Sequence, residues 1–190
     1  MSGIEKAAVI GAGVMGAAIA AHIANAGVPV MLLDIVRDGA DNRNAIAEGA
    51  IERLLKSDPA PLMHKSNAKR ITPGNIDDHL ERLDDCDWIV EAIIEQADIK
   101  RALYEKLEAV RKDGSIVSSN TSTIPLATLT KDMPARFRGD FLITHFFNPP
   151  RYMRLLELVT GPDTKPEPIA LMRAFADIEL GKTVIGCKDT

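Results

Sequence analysis

Short apolar runs alternate along the chain with longer stretches in which apolar residues recur at helical spacing. Apolar runs of about four to eight residues are typical of strands buried on both faces, and the periodic stretches are typical of amphipathic helices. This alternation predicts βαβ units, and therefore an α/β fold with a mostly parallel sheet. The predicted strands are residues 7–11, 29–34, 88–93, 115–119, 141–146, 155–159 and 182–187.

Four helical stretches separate these strands: residues 15–26, 38–70, 99–110 and 164–180. The stretch 38–70 is the longest, and the helix-breaking sequence Asp58-Pro59-Ala60-Pro61 interrupts it. It therefore predicts a helix, then a second short helix after the break, which together form a helical hairpin inserted between strands and standing off the sheet. Because no internal repeat or linker divides the chain, residues 1–190 are expected to form one domain.

The first apolar run turns directly into the segment Gly11-Ala12-Gly13-Val14-Met15-Gly16, which has the spacing GxGxxG. In a dinucleotide-binding fingerprint the first glycine makes the tight turn after the strand. The second glycine leaves room for the pyrophosphate, and the third lets the next helix pack close to the sheet. The segment predicts a Rossmann-type, doubly wound domain, and a glycine-rich turn in an unrelated α/β domain is the alternative.

Asp34 ends the second apolar run, near the spacing of about 20 residues at which such domains carry an acid. A carboxylate there can accept hydrogen bonds from the hydroxyl groups of the adenine-side ribose. The same negative charge would repel a 2′-phosphate, so the sequence favours NAD over NADP.

Composition excludes several other classes of protein. The chain is 46% hydrophobic and 26% charged, which is ordinary for a globular domain. Its net charge of −4 argues against binding to nucleic acid, and no apolar stretch approaches the roughly 18 residues that span a membrane. Cys86 and Cys187 lack the spacing of metal ligands, so we expect reduced packing cysteines, no metal site and a cytoplasmic location.

His145 is the one histidine of four that lies at the carboxyl end of a predicted strand, where α/β sheets place ligands. Glu157 lies within a later apolar run, and buried acids are seldom left unpaired. A pair between them would fix the imidazole tautomer and leave the other nitrogen free to exchange a proton with a substrate hydroxyl group. A structural histidine and a glutamate at a strand edge are the alternative.

Two more polar segments follow predicted strands. Residues 118–122, Ser-Ser-Asn-Thr-Ser, could present hydroxyl groups to the same crevice, or could form an ordinary strand-to-helix turn. Glu95 lies just past a strand end, where it could reach a nicotinamide ribose or simply begin a solvated, charged helix.

Several segments resemble, in order, the NAD-binding domain of L-3-hydroxyacyl-CoA dehydrogenases. They are GAGVMG, the VEAIIE segment ending at Glu95, SNTS at 119–122, HFFNPPRYMRLLELV at 145–159 and the closing CKDT. HFFNP together with Glu157 is far more specific than GxGxxG. Gulonate dehydrogenases and lens λ-crystallins are similar but tend to replace the Phe146-Phe147 pair. The resemblance implies NAD-dependent oxidation of (S)-3-hydroxyacyl-CoA to 3-ketoacyl-CoA in fatty-acid β-oxidation.

The resemblance also implies roles for single residues. His145 would be the general base, Glu157 its orienting partner, and Ser122 would bind the 3-oxygen of the substrate. The implied cofactor contacts are Gly11, Ala12, Gly13, Val14, Met15, Gly16, Asp34, Glu95, Lys100, Ser122 and Asn148. A dehydrogenase of a free hydroxy or sugar acid, and a non-catalytic NAD-binding protein of the crystallin kind, remain as alternatives.

In the resembling family the CKDT segment continues into a helical, dimerising C-terminal domain, so we expect this chain to be a fragment. Some bacterial proteins with a similar HFFNPPRYM segment also carry an enoyl-CoA hydratase region. Basic residues in the predicted hairpin could bind the phosphates of coenzyme A, or could form a solvated surface. They are Arg53, Lys56, His64, Lys65, Lys69 and Arg70.

Overall fold

A computed structural model describes residues 3–189 of the chain, so Thr190 of the CKDT segment lies outside the described residues. Eight strands form one sheet in the order β3-β2-β1-β4-β5-β6-β7-β8. They are β1 Ala7–Ile10, β2 Val30–Asp34, β3 Ile71–Asn75, β4 Trp88–Glu91, β5 Ile116–Ser119, β6 Phe141–Phe146, β7 Leu155–Thr160 and β8 Thr183–Cys187.

The first six strands run parallel, β7 is antiparallel to β6, and β8 is parallel to β7. The chain order reverses between β1 and β4, which is the switch point of a doubly wound sheet. The predicted Rossmann-type fold with a mostly parallel sheet is therefore confirmed.

Helices and short 3-10 helices cover both faces of the sheet. The α-helices are α1 Val14–Asn25, α2 Ala45–Lys56, α3 Ile76–His79, α4 Ala97–Val110, α5 Leu126–Leu129, α6 Ala135–Asp140 and α7 Pro166–Ile178. The 3-10 helices are Lys65–Arg70 and Leu80–Asp85. Within the described chain, no helix is both long and apolar enough to cross a membrane.

Alternate side chains of each central strand enter two separate cores. In β1, Ala7 and Val9 pack in the core that contains α1 and α7, whereas Ala8 and Ile10 pack in the core that contains α4. This burial on both faces explains why β1 appears in the sequence as a continuous apolar run. Cys86 is free and buried, whereas Cys187 is free but only half-buried.

The stretch 38–70 contains two helical segments, and the second segment is short, as predicted. The first segment forms as α2, and after the proline-rich break the chain makes the 3-10 helix Lys65–Arg70, which buries none of its side chains. Without an apolar stripe there is little to hold a longer helix in place. The segment also packs on α1 rather than standing off the sheet, because Asn25 Oδ1 accepts a hydrogen bond from Asn67 Nδ2 at 3.0 Å.

Candidate active site

The predicted site residues lie along one edge of the sheet, at the carboxyl ends of five parallel strands. The glycine-rich segment follows β1, Asp34 ends β2, and Glu95 comes after β4. Ser122 follows β5, and His145 lies near the end of β6. Parallel strands carry their carboxyl ends to the same edge, so the topology alone brings these residues together.

Two of the three fingerprint glycines are required by the chain itself. Gly11 has a φ of +104°, and a Cβ atom there would lie 2.5 Å from the carbonyl oxygen of Ala92. A Cβ atom at Gly16 would lie 1.8 Å from the carbonyl oxygen of Gly11, which is why α1 can approach the strand end only with glycine there.

Gly13 differs from both of these glycines. Its φ is −67°, and a Cβ atom would meet none of the described residues within 4 Å. Neither the backbone nor the packing therefore requires glycine at this position. Gly13 opens onto the start of α1, where no side chain caps the first N–H groups. Free N–H groups beside open space suit the pyrophosphate of a dinucleotide.

The rest of the fingerprint segment surrounds this opening. Ala12 is buried, and its N–H group donates to Asp34 Oδ2 at 2.5 Å. Val14 is 76% exposed at the mouth of the site, whereas Met15 packs against the core. The Ile35 N–H group donates to Asp34 Oδ1 at 2.7 Å, so the Asp34 carboxylate is fixed while it stays half-exposed.

A cleft of about 530 Å³ adjoins Asp34 and the glycine-rich segment. Its walls are mainly apolar and include Ile35, Ile76, Ile94, Ile99 and Leu103. An apolar slot beside a fixed carboxylate fits the adenine ring and ribose of NAD, so the residues present suit the predicted cofactor.

Glu95 is joined to the segment that carries Ser122. Its Oε1 atom accepts hydrogen bonds from the hydroxyl groups of Thr121 and, at 3.2 Å, Thr123. Burial alone would raise the pKa of the Glu95 carboxyl, but the Thr121 hydroxyl and the nearby ammonium of Lys100 lower it. Glu95 is therefore an ionised acceptor at the cleft, in a fixed position.

Lys100 does not lie where the resemblance implies. Its side chain is 1% exposed, and its Nζ atom lies 2.6 Å from Glu91 Oε1 and 3.2 Å from Glu95 Oε2. With so little exposed surface it can act on a cofactor only through Glu95.

Glu91 was missed by the sequence analysis, although it is an acid at the end of an apolar run, as Glu157 is. It is fully buried, and its Oε2 atom accepts hydrogen bonds from Tyr104 Oη at 2.6 Å and Ser119 Oγ at 2.7 Å. Burial, then the adjacent Glu91 carboxylate, raises the pKa of Tyr104 well above its usual value, so Tyr104 remains a donor. Through these bonds and the one from Lys100, Glu91 joins the end of β4 to α4 and to the end of β5 next to the site.

His145 and Glu157 lie directly opposite each other in the antiparallel pair of β6 and β7. Glu157 Oε2 is 2.8 Å from His145 Nδ1, and their side chains are 36% and 19% exposed, respectively. An ionised carboxylate can only accept, so Nδ1 carries the hydrogen of the neutral ring and Nε2 has a free lone pair. The pair can therefore serve as an oriented general base.

Ser122 and Asn148 lie on different sides of this pair. Ser122 is exposed and lines a cleft of about 160 Å³ together with His145 and Glu157. Asn148 lines another cavity, of about 250 Å³, with Gly13 and the basic residue Arg53 of α2. The structure thus brings Ser122 to the candidate base and Asn148 to the glycine-rich segment.

Asn120 is a further residue that the sequence analysis left without a role. Its Oδ1 atom accepts a hydrogen bond from the N–H group of Phe146 at 2.9 Å. The segment 118–122 is therefore more than a turn, because it fixes the end of β6 beside His145. Among residues 3–189, no group of three or more His, Cys, Asp or Glu side chains is placed to hold a metal ion.

Comparisons with known proteins give one consistent result. Residues 6–190 match the sequence model of the family described as 3-hydroxyacyl-CoA dehydrogenase, NAD binding domain. A probable 3-hydroxyacyl-CoA dehydrogenase of Deinococcus radiodurans is 48% identical over 98% of this chain and 54% of its own length. A putative fatty acid oxidation complex trifunctional enzyme of Rickettsia felis is 46% identical over 98% of this chain and 26% of its own length.

The fold comparison agrees with the sequence comparisons. The crystal structure of 3-hydroxybutyryl-CoA dehydrogenase from Escherichia coli has a TM-score of 0.83 and 27% identity, over 98% of this chain and 39% of that one. The chain thus spans about half or less of the length of these relatives. It belongs to the 3-hydroxyacyl-CoA dehydrogenase family, in which it corresponds to the NAD-binding domain.

Proposed function

We propose that the protein containing this chain oxidises (S)-3-hydroxyacyl-CoA to 3-ketoacyl-CoA with NAD, as in fatty-acid β-oxidation. The observation that carries the proposal is the 2.8 Å contact between His145 Nδ1 and Glu157 Oε2, in a cleft that Ser122 also lines. This pair lies at the same sheet edge as a complete dinucleotide fingerprint. The non-catalytic, crystallin-like alternative is disfavoured, because a protein that only binds NAD has no need of an oriented base.

In the forward reaction the Nε2 atom of His145 removes the proton of the 3-hydroxyl group of the substrate. The Glu157 carboxylate holds the ring by Nδ1 and stabilises the imidazolium that forms. The Ser122 hydroxyl group donates a hydrogen bond to the 3-oxygen. NAD, when bound, supplies the acceptor for the hydride.

We assign the cofactor contacts as follows. The N–H groups at the start of α1 and the space above Gly13 would hold the pyrophosphate, and Asp34 the adenine-side ribose. Glu95, Ser122 and Asn148 would line the nicotinamide half, with Lys100 acting through Glu95. Gly13, Glu95, Ser122 and Asn148 are exposed at one sheet edge and Asp34 is half-exposed there, which supports these direct contacts, whereas Lys100 is buried.

We further propose that an acyl-CoA is the substrate and that a C-terminal, dimerising domain completes the cleft in the whole protein. The relatives are longer than this chain, which agrees with further domains. The Rickettsia relative is named a trifunctional enzyme, which is compatible with a fused hydratase region. A cytoplasmic location stays a prediction.

The test is NADH-dependent reduction of acetoacetyl-CoA by the complete protein, with gulonate and NAD as the competing assay. His145→Gln should lower kcat by roughly 10²–10⁴ while NADH binding survives. Glu157→Gln keeps the shape and removes the charge, so it should also lower kcat, because the imidazolium that forms in the reaction loses its ionic partner.

Other outcomes would contradict the proposal. If gulonate is oxidised and acetoacetyl-CoA is not reduced, the substrate is a free sugar acid. If neither reacts although NADH binds, the protein is a binding protein. If both variants melt earlier but the folded fraction keeps a normal kcat, the His145–Glu157 pair is structural.

A further inference from the structure

The segment Cys187–Lys188–Asp189, which leads out of β8, has no role in the proposed reaction but reaches the candidate active site. Cys187 lies beside Val159 of β7 in the sheet register. All three residues of the segment line the same cleft as Ser122, His145 and Glu157. The segment therefore forms one wall of the site.

Asp189 makes a specific contact across this cleft. Its Oδ1 atom accepts a hydrogen bond from the Leu126 N–H group at 2.6 Å, and its Oδ2 atom accepts one from the Ala127 N–H group at 3.0 Å. Leu126 and Ala127 are the first two residues of α5. Pro125 precedes them and has no side-chain acceptor, so Asp189 supplies the helix cap that the local sequence lacks.

The cap fixes one end of the loop that carries Ser122. The other end is fixed by Thr121, whose hydroxyl group donates to Glu95 and whose Oγ1 atom accepts from the Ile124 N–H group at 3.1 Å. Ser122 is exposed and lies between these two anchors. The position of its hydroxyl group relative to His145 therefore depends on both.

We infer that Asp189 is a positioning residue for Ser122. The inference rests on the proposed function, in which Ser122 holds the 3-oxygen of the substrate. By capping α5, Asp189 keeps the Ser122 loop against the cleft. The adjacent strands β6 and β7 carry the base and its orienting partner, and the residue that positions the serine follows β8. A displacement of about 1 Å in such a group can cost about a hundredfold in rate.

The experiment uses the complete protein and acetoacetyl-CoA reduction. Asp189→Ala should lower kcat roughly tenfold to a hundredfold and leave the Kd of NADH within about twofold. Asp189→Asn keeps one side-chain acceptor and should restore part of the lost kcat. Hydrogen exchange at the Leu126 and Ala127 amides should become faster in Asp189→Ala, because those amides lose their acceptors.

A double mutant separates positioning from a general loss of stability. If Asp189 acts through Ser122, the variant Ser122→Ala/Asp189→Ala should be no slower than Ser122→Ala alone. Asp85→Ala is the control, since Asp85 is an exposed carboxylate paired with Lys6 at the amino ends of β4 and β1, the sheet edge opposite the site. It should leave kcat unchanged.

Two results would overturn the inference. One is an active protein in which Asp189→Ala keeps kcat within about twofold. The other is a double mutant whose losses simply multiply, as two independent effects would. An unmodified protein that does not reduce acetoacetyl-CoA would instead overturn the proposed function, and this inference with it.

Discussion

Asp34 is held by two main-chain N–H groups, those of Ala12 and Ile35, and keeps part of its carboxylate exposed. A rigid, exposed charge discriminates between ligands better than a mobile one, because it cannot turn away from a like charge. At the scale of single residues, we predict that the choice between NAD and NADP depends mainly on this carboxylate.

We expect NADH to bind at least about tenfold more tightly than NADPH, because the 2′-phosphate would lie beside the Asp34 carboxylate. Asp34→Asn removes the charge and keeps an acceptor for the Ala12 N–H group, so it should reduce the difference between the Kd values of NADPH and NADH. Fluorescence titration of both reduced cofactors measures the two Kd values. Equal values in the unmodified protein would contradict the role of Asp34, and the surface variant Asp163→Asn should change neither.

Some residues of the site could be predicted from the sequence and others could not. Glu157 could be predicted because a carboxylate inside an apolar run needs a partner. The same reasoning would have found Glu91. The contact of Asp189 with Leu126 could not be predicted, since the two residues are 63 positions apart and an aspartate in a polar segment carries no signal.

At the scale of elements, strands could be predicted where burial on both faces produced an apolar run. Strand β3 was missed because three residues of its sequence, Ile-Thr-Pro-Gly-Asn, are of types that disfavour strands: Pro73, Gly74 and Asn75. It forms because β2 pairs with it, with Leu32 opposite Pro73. Proline is tolerated there since β3 is the edge strand and donates to no further neighbour.

The segment 38–70 carries a prediction of its own. Lys56, Lys65 and Lys69 are exposed, Lys56 at the end of α2 and the other two on the 3-10 helix. If they attract the phosphates of coenzyme A, replacing all three by glutamate should raise the KM for acetoacetyl-CoA by roughly tenfold at low salt. The increase should shrink at higher salt, where exposed charges are screened over about 8 Å.

Steady-state kinetics at several salt concentrations tests this expectation. The Kd of NADH should stay the same, because the cofactor contacts lie elsewhere. Lys131→Glu, an exposed charge reversal outside this segment, is the control. An unchanged KM in the triple variant would make these lysines a solvated surface.

At the scale of the whole molecule, one buried histidine links stability to pH. His22 of α1 is 5% exposed, and neither ring nitrogen has a hydrogen-bond partner among the described residues. Burial, then the charge of Lys182, lowers the pKa of His22 from 6.5 to about 4. Between these two pH values the unfolded chain binds a proton that the folded chain does not, so stability falls as the pH falls.

This difference corresponds to about 3 kcal/mol of unfolding free energy lost between pH 6.5 and 4. His22→Leu removes the titrating group, so its unfolding free energy should fall less than that of the unmodified protein between pH 6.5 and 4. Urea unfolding at several pH values provides the measurement. His64→Leu replaces an exposed histidine, and the pH dependence of its unfolding free energy should match that of the unmodified protein. If the unfolding free energy of His22→Leu depends on pH as steeply as that of the unmodified protein, His22 is not the cause.

The reversal of direction between β6 and β7 also bears on how the family can vary. His145 and Glu157 face each other as partners across two antiparallel strands, so their pairing depends on the register and not on the number of residues between them. The connection over residues 149–154 can therefore gain or lose residues, in a related or a designed protein, without separating His145 from Glu157. A slip of one residue in β7, by contrast, would turn Glu157 to the opposite face, toward α7, and would take the buried Leu156 and Leu158 out of the core, so the register that keeps the core intact also keeps the pair together.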